Sequence, residues 1–293
     1  MSLRAESVIL PAYAKINLFL DITGVLPNGY HTLNNIMQQI NLHDKVTVSY
    51  SEGGTQRLIK ITCDDKKVPC DEKNIAYRAA RLYFERSGLF GSVNINIKKN
   101  IPVMAGLGGS STDGAAVLSA MNMLCGNRFT RRELEEAGAL LGADVPFCIR
   151  GNAALCKGIG EKMTDIEALA DCQIVIIKPS FSCNTSSAYK LYDRKPIPAK
   201  GEPSKLLLKL KSGCVNDIGR ELYNIFEPLY NDRRIEQIKK ELIDAGAAGA
   251  ALSGSGSSVY GIFDCREKAI GAVESLDYPF KIITNPISAL EKK

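Results

Sequence analysis

Residues 100–118, NIPVMAGLGGSSTDGAAVL, decide how the rest of the chain is read. A β-rich run at 92–99 leads through Pro102 into a glycine-serine turn at 106–112. The small-apolar pattern at 115–123 that follows predicts a helix. A strand, a tight loop and a helix start leave backbone N–H groups without intrahelical partners, and the helix dipole adds positive partial charge at that end. Phosphate is the natural ligand for such a place. An ordinary glycine-rich connector ending in a helix cap accounts for the same letters equally well, so the loop alone leaves both readings open.

Working outward, 293 residues give room for two ordinary domains or one large one with an ample core. Hydrophobic residues at 45% and charged residues at 24% describe a folded globular chain. The net charge of +5 suits an anionic small-molecule substrate, and no basic tract of nucleic-acid type is present, so no nucleic acid is expected as a partner. No apolar run approaches the roughly 20 residues that cross a bilayer, so no membrane partner is expected. The start, MSLRAESVILPAYAK, has no apolar h-region, which predicts neither a signal nor a transit peptide and hence a cytoplasmic chain. Nine scattered cysteines without a C-x-x-C are expected as reduced thiols. Two histidines, His31 and His43, cannot form a His-rich metal site, and no structural metal is expected.

In chain order, residues 7–14 and 16–26 alternate as two strands around Ala14-Lys15-Ile16-Asn17. A lysine inside an apolar strand either snorkels to solvent or meets an anion. Pro27-Asn28-Gly29-Tyr30-His31 is a turn in which Tyr30 reads as a packed loop tyrosine or as part of a site. Strands are expected at 45–50 and 58–62, then a helix at 74–87 capped by Asn74. A second helix at 130–141 opens with a Thr130/Glu133 capping box and ends at Gly142. Asp144 follows among Ala143, Val145, Phe147 and Cys148, where a carboxylate either bonds the turn's backbone or works in a site. A strand and glycine turn fill 152–163, and 164–171 reads as surface connection, with a domain change placed between 1–163 and 164–293. Beyond it the pattern gives strands at 173–178, 247–253, 259–263 and 280–284, and helices at 185–192, 204–210, 215–226, 235–245 and 266–275. The mixture predicts an α+β fold with two layers in each half.

Several chemistries are excluded by missing templates. The chain has no Walker-type G-x-x-x-x-G-K-[ST], no H-E-x-x-H and no G-x-S-x-G, and Ser111 breaks the dinucleotide glycine fingerprint begun by Gly106 and Gly108. What remains is a lysine-free glycine-serine loop, a second small-residue loop at 253–258, and two isolated charges, Lys15 and Asp144. Phosphoryl transfer needs that inventory: backbone donors around phosphates, a cation, and a carboxylate for the acceptor's proton.

Three ordered motifs then resemble the GHMP kinases, the superfamily of galactokinase, homoserine kinase and mevalonate kinase. They are Pro102-x-x-Ala105-Gly106-Leu107-Gly108-Gly109-Ser110-Ser111, then Gly142-Ala143-Asp144-Val145-Pro146, then Leu252-Ser253-Gly254-Ser255-Gly256. The resemblance implies a ribosomal-protein-S5-domain-2-like N-terminal domain at 1–163, nucleotide-binding and catalytic, and a ferredoxin-like substrate-side domain at 164–293. It implies ATP and Mg²⁺, with Pro102, Ala105, Gly106, Leu107, Gly108, Gly109, Ser110, Ser111 and Thr112 as the ATP loop and Ser253, Gly254, Ser255 and Gly256 as a second glycine loop. Lys15 and Asp144 fall on the superfamily's catalytic lysine and aspartate.

More narrowly, Ala14-Lys15-Ile16-Asn17-Leu18 followed by Gly29-Tyr30-His31 is similar to the branch acting on a cytidine-diphosphate-linked methylerythritol in the non-mevalonate isoprenoid pathway. That likeness implies Tyr30 and Tyr189 on the two faces of the cytosine, His31 at its edge, and polar contacts from Asn17 and Thr185. The loop departs from the usual pattern by placing Ser110 in the third glycine position, so the hydroxyl that meets Mg²⁺ is left open. Asp113, just inside the helix, either stabilises its N-terminus or serves a metal. Two other readings stand beside the first: a GHMP kinase for another small alcohol, and a non-catalytic binder, which has no need of Lys15 together with Asp144.

Overall fold

Strand β1 (Glu6–Val25) runs unbroken for 20 residues, where the sequence pattern suggested two strands. Lys15 and Asn17 interrupt the apolar alternation without interrupting the strand, because their buried side chains hydrogen-bond each other at 2.8 Å. The computed structural model describes residues 6–169 and 172–288, so the surface connection expected at 164–171 lies partly outside the described residues. The chain divides into two units woven from interleaved segments: Met1–Ala14, Leu42–Val103 and Gly108–Arg150 in the first, Lys15–Asn41, Met104–Leu107 and Gly151–Lys293 in the second. Both β1 and the long β2 (His31–Glu52) pass from one unit into the other, so no single cut near residue 163 separates these units.

In the first unit β2 is followed by β3 (Arg57–Cys63), α1 (Ile75–Ser87), β4 (Gly91–Lys98), α2 (Gly109–Leu124), α3 (Arg131–Ala139) and α4 (Val145–Arg150). β4 lies antiparallel to β2, with Val93 opposite Tyr50, and parallel to β3. Its alternation turns Val93, Ile95 and Ile97 inward while Asn94, Asn96 and Lys98 face water. Those residues meet Tyr83 and Phe84 of α1 and Leu118 and Met121 of α2 in one apolar core. α1 starts on Asn74, whose Oδ1 accepts from the Ala76 N–H at 2.8 Å, and stops at Gly88 in the left-handed region. The small residues of α2 let it lie tightly on α1: a Cβ on Gly114 would stand 2.5 Å from Cγ2 of Ile75. The expected capping box is present, with the Thr130 N–H donating to Glu133 at 2.7 Å and the Glu133 N–H to Thr130 Oγ1 at 3.3 Å.

The second unit continues with β5 (Ala153–Gly158), β6 (Lys162–Asp165), β7 (Gln173–Lys178), α5 (Thr185–Arg194), α6 (Ser204–Ser212), α7 (Val215–Gly219) and β8 (Tyr223–Asn224). It ends with α8 (Phe226–Tyr230), α9 (Arg233–Asp244), β9 (Gly249–Leu252), β10 (Val259–Phe263), α10 (Arg266–Ser275) and β11 (Phe280–Thr284). Four of its strands form an antiparallel sheet in the order β11-β7-β10-β9. Ile235, Ile238 and Leu242 of α9 and Ala269 and Ala272 of α10 bury one face of it with Val175, Ile177 and Val259. That is the expected two-layer α+β arrangement.

One expected helix, 215–226, is broken. After α7 the chain leaves helical geometry so that Phe19 and Leu20 of β1 pair in parallel with Tyr223 and Asn224. Gly219 also lies against β9, where a Cβ would stand 2.2 Å from the Ala248 carbonyl oxygen. Helical periodicity was a true local signal here; strand pairing and that close backbone approach overrode it.

Candidate active site

Within the second unit the site grows from the middle of β1. Lys15 is 3% exposed, and its Nζ donates to Asn17 Oδ1 at 2.8 Å. The same oxygen accepts from the Gly254 N–H at 2.8 Å, while Asn17 Nδ2 donates to Asn35 Oδ1 at 2.8 Å. Tyr260, fully buried, adds its hydroxyl to the Asn17 carbonyl at 2.8 Å. Asn17, expected as a substrate contact, is thus a buried strut between the lysine and the second glycine loop.

The two glycine loops meet backbone to backbone. Ser253 Oγ donates to the Gly106 carbonyl at 2.9 Å, the Ser258 N–H to Ala105 at 3.1 Å, and the Lys15 N–H to Leu107 at 3.0 Å. A Cβ on Gly106 would lie 2.1 Å from the Ser253 carbonyl oxygen, and one on Gly254 would lie 3.3 Å from Lys15 Nζ. Glycine is required at Gly106 by contact as well as by positive φ, and at Gly254 by positive φ. Ser253, Gly254, Ser255 and Gly256 are all buried, so the second loop is an abutment for the first and not an open cradle. Asn224 braces it from behind, its Nδ2 donating to the Leu252 and Gly254 carbonyls at 2.8 Å each. Tyr230 Oη donates to the Ser255 carbonyl at 2.8 Å, and the Thr185 hydroxyl lies 2.8 Å from Ser255 Oγ.

In the first unit α2 starts six residues earlier than the small-apolar pattern indicated, with Gly108 as its cap at φ 75° and no side-chain hydrogen bond closing the helix end. Its first N–H groups are therefore available to an anion. Ser110 is exposed and Ser111 partly so, whereas Thr112 is buried with its hydroxyl donating to the Tyr13 carbonyl at 2.8 Å. Pro102 is half-buried just upstream. Asp144 immediately precedes α4, and its carbonyl accepts from the Cys148 N–H at 3.0 Å. That places a carboxylate-bearing residue at the positive end of a short helix. A Cβ on Gly142 would be 4.0 Å from Ser111 Oγ, which sets the Gly-Ala-Asp-Val-Pro turn beside the start of α2.

The sequence reading missed a buried charge cluster under this helix start. Asp44 Oδ1 accepts from the Asn100 and Ile101 N–H groups at 2.6 and 2.8 Å, and Asp44 and Asp113 share the Lys99 ammonium, the latter at 2.9 Å. Burial, with Asp44 adding to it against the pull of Lys99, pushes the Asp113 carboxyl up to about 7. Burial works against the Lys99 charge, but the two carboxylates outweigh it and raise the lysine. Asp113 is thus part of the clamp that ties α2 to the strand feeding the loop. A lysine at the end of the alternating run 92–99, three before Pro102, was the signal available.

The base-binding candidates lie in the second unit. Tyr30 is 60% exposed in its turn, with its N–H donating to Asn28 Oδ1 at 3.1 Å. His31 packs its ring 4.8 Å from Tyr189, and Tyr189 stands edge-on to Phe226 at 5.2 Å. Thr185 and Tyr189 both belong to α5, so that helix carries His31's neighbour and a bond to the second loop.

Two family models match, the GHMP kinases N terminal domain over residues 74–152 and the GHMP kinases C terminal region over 206–282. The 4-diphosphocytidyl-2-C-methyl-D-erythritol kinase of Clostridium botulinum (strain Alaska E43 / Type E3) is 41% identical over 269 residues, 91% of this chain and 95% of that protein. The chain belongs to the GHMP kinases. The enzyme of the same name from Alkaliphilus metalliredigens (strain QYMF) is 39% identical over 278 residues, 94% of each chain. A crystal structure of 4-(cytidine 5'-diphospho)-2C-methyl-D-erythritol kinase superposes with a TM-score of 0.81 at 28% identity, covering 96% of this chain and 100% of that one. Homoserine kinase from Cytophaga hutchinsonii, with a TM-score of 0.68 and 22% identity over 94% and 95% of the two chains, shares the GHMP kinase fold. Like other members of the family this GHMP kinase uses ATP, and among the described residues no helix is long and apolar enough to cross a membrane.

Proposed function

We infer that the chain transfers the γ-phosphoryl group of ATP to the 2-hydroxyl of 4-(cytidine 5'-diphospho)-2-C-methyl-D-erythritol, a step of the non-mevalonate isoprenoid pathway. The observation that carries this is identity near 40% to enzymes of that name over nine-tenths of the chain. Lys15, Asp144 and the two glycine loops in their family order support it.

In this reading Asp144 accepts or orients the proton of the attacking hydroxyl, and Lys15 stabilises negative charge on the attacking side. The uncapped start of α2, with Gly108, Gly109, Ser110 and Ser111, holds phosphate oxygens. Thr112 holds the helix by bonding the Tyr13 carbonyl, which leaves Ser110 and Ser111 as the loop hydroxyls that would serve Mg²⁺ in this reading. Bound Mg²⁺ supplies charge neutralisation to the transferring phosphate. Tyr30, His31 and Tyr189 receive the cytosine, with Thr185 at the start of α5 nearby in sequence. Residues 1–163 serve the nucleotide and the chemistry and lend Tyr30 and His31 to the substrate, 164–293 supply the rest of the substrate side, and the reaction belongs to the cytoplasm.

The test is ADP release over a panel of alcohols containing the diphosphocytidyl compound, homoserine and mevalonate. Turnover on the first alone is expected. Preference for either of the others would replace the reading with another GHMP kinase, and no ADP with any would favour a non-catalytic binder.

A further inference from the structure

The imidazole of His31 is held on three sides by one face of α5. Tyr189, Tyr192 and Asp193 stand at i, i+3 and i+4 along that helix and so share a face. Tyr189 lies 4.8 Å from the His31 ring, Tyr192 meets it edge-on at 5.8 Å, and Asp193 Oδ1 is 2.7 Å from Nε2. An ionised carboxylate only accepts hydrogen bonds, so Nε2 carries a proton and Nδ1 is the ring nitrogen left to meet a ligand.

This arrangement bears on which base the enzyme reads. Cytosine presents an amino donor where uracil presents a carbonyl acceptor, and the neighbouring ring nitrogen is an acceptor in one and a donor in the other. A neutral imidazole free to exchange tautomers suits either pattern; one whose proton is pinned by a carboxylate suits one better. We propose that Asp193 is a positioning residue for base recognition, holding the Nε2–H of His31 so that Nδ1 is set against the cytosine edge and cytidine is preferred to uridine. The proposal rests on the reading of His31 as the base contact. Asp193 keeps half of its side-chain surface in water, and an ion pair of that exposure adds little to stability. Its removal therefore tests recognition rather than folding.

The experiment compares wild type, Asp193→Ala, Asp193→Asn and a control, Asp264→Ala, which breaks the surface pair with Lys268. Each is assayed with the diphosphocytidyl alcohol and its diphosphouridyl analogue. Asp193→Ala should raise KM for the cytidyl substrate about tenfold, the scale of one hydrogen bond, with kcat and KM for ATP held within about twofold. Its cytidine-over-uridine preference should fall by about the same factor, and Asp193→Asn, which keeps an acceptor, should recover most of both. Imidazole ¹⁵N spectra give a second readout, since the chain has only two histidines and a His43→Gln variant assigns them. Wild type should show His31 protonated at Nε2, and Asp193→Ala should show averaged tautomers. Unchanged KM and preference in Asp193→Ala, with wild type active, would overturn this proposal alone. A wild type inactive on the cytidyl alcohol would overturn the functional reading and this proposal with it.

Discussion

Gly106→Ala isolates what the contact between the two glycine loops contributes. At φ 75° an alanine sits in the left-handed region, which costs about 1–2 kcal/mol. Its Cβ would also stand 2.1 Å from the Ser253 carbonyl oxygen and 2.9 Å from that of Gly256. A carbon tolerates a carbonyl oxygen at about 3.3 Å, so the loops must part by roughly 1.2 Å. Overpacking of that kind costs about 1–3 kcal/mol. Together the substitution should destabilise by about 2–5 kcal/mol. The parting strains the bonds from Ser253 Oγ to Gly106, from Ser258 N–H to Ala105 and from Lys15 N–H to Leu107, at 2.9, 3.1 and 3.0 Å. A misplacement near 1 Å can cost about 10²-fold in rate, so turnover should fall on that scale. Gly271→Ala is the companion: it lies in α10 with no atom within 4 Å of an added Cβ. It should be stabilising by about 0.5–1 kcal/mol with normal activity. Urea denaturation and ADP release on both proteins measure the contrast. A Gly106→Ala protein with wild-type midpoint and turnover would refute the reasoning.

Asp144→Asn should fold normally, bind ATP and lose turnover by about 10²–10⁴-fold, the range for general acid–base groups; near-normal rates would sink the assigned role. Asn224→Ala leaves the Leu252 and Gly254 carbonyls and the Phe226 N–H without their buried partner. A loss of about 3 kcal/mol is expected by urea denaturation, and a loss well under about 1 kcal/mol would show that the brace is dispensable. Asp113 carries a pH signature. Its carboxyl is raised in the fold from 3.8 to about 7, so the native state binds more protons in that window and stability falls as pH rises from about 4 to about 7, then levels. Asp113→Asn should remove a slope on the order of 1–4 kcal/mol. Parallel stability–pH curves for the two proteins would contradict the raised Asp113 carboxyl.

Much of the fold was legible because its signals are local. The capping box at Thr130, the Asn74 cap, the alternation of 92–99 and the buried run QIVIIK each depend on neighbours within a few residues. The failures have a common cause. β1 was read as two strands because Lys15 and Asn17 look misplaced until each is seen to satisfy the other. The break at 220–225 is imposed by β1, some 200 residues away in sequence.

The candidate site divides along the same line. Sequence alone, through three ordered motifs, determined the family, and it singled out a loop sequence able to meet phosphate and the two charges, Lys15 and Asp144, proposed above for the chemistry. Those are statements about residue type and order, which the letters carry. Tertiary structure decided that the second glycine loop is a buried abutment for the first, that Asn17 is a strut, that Thr112 bonds Tyr13, and that Asp44, Lys99 and Asp113 form one clamp. Each of these is a choice of hydrogen-bond partner among residues far apart in the chain. A polar side chain's composition says that it needs a partner when buried, and only the fold says which partner is within 3 Å.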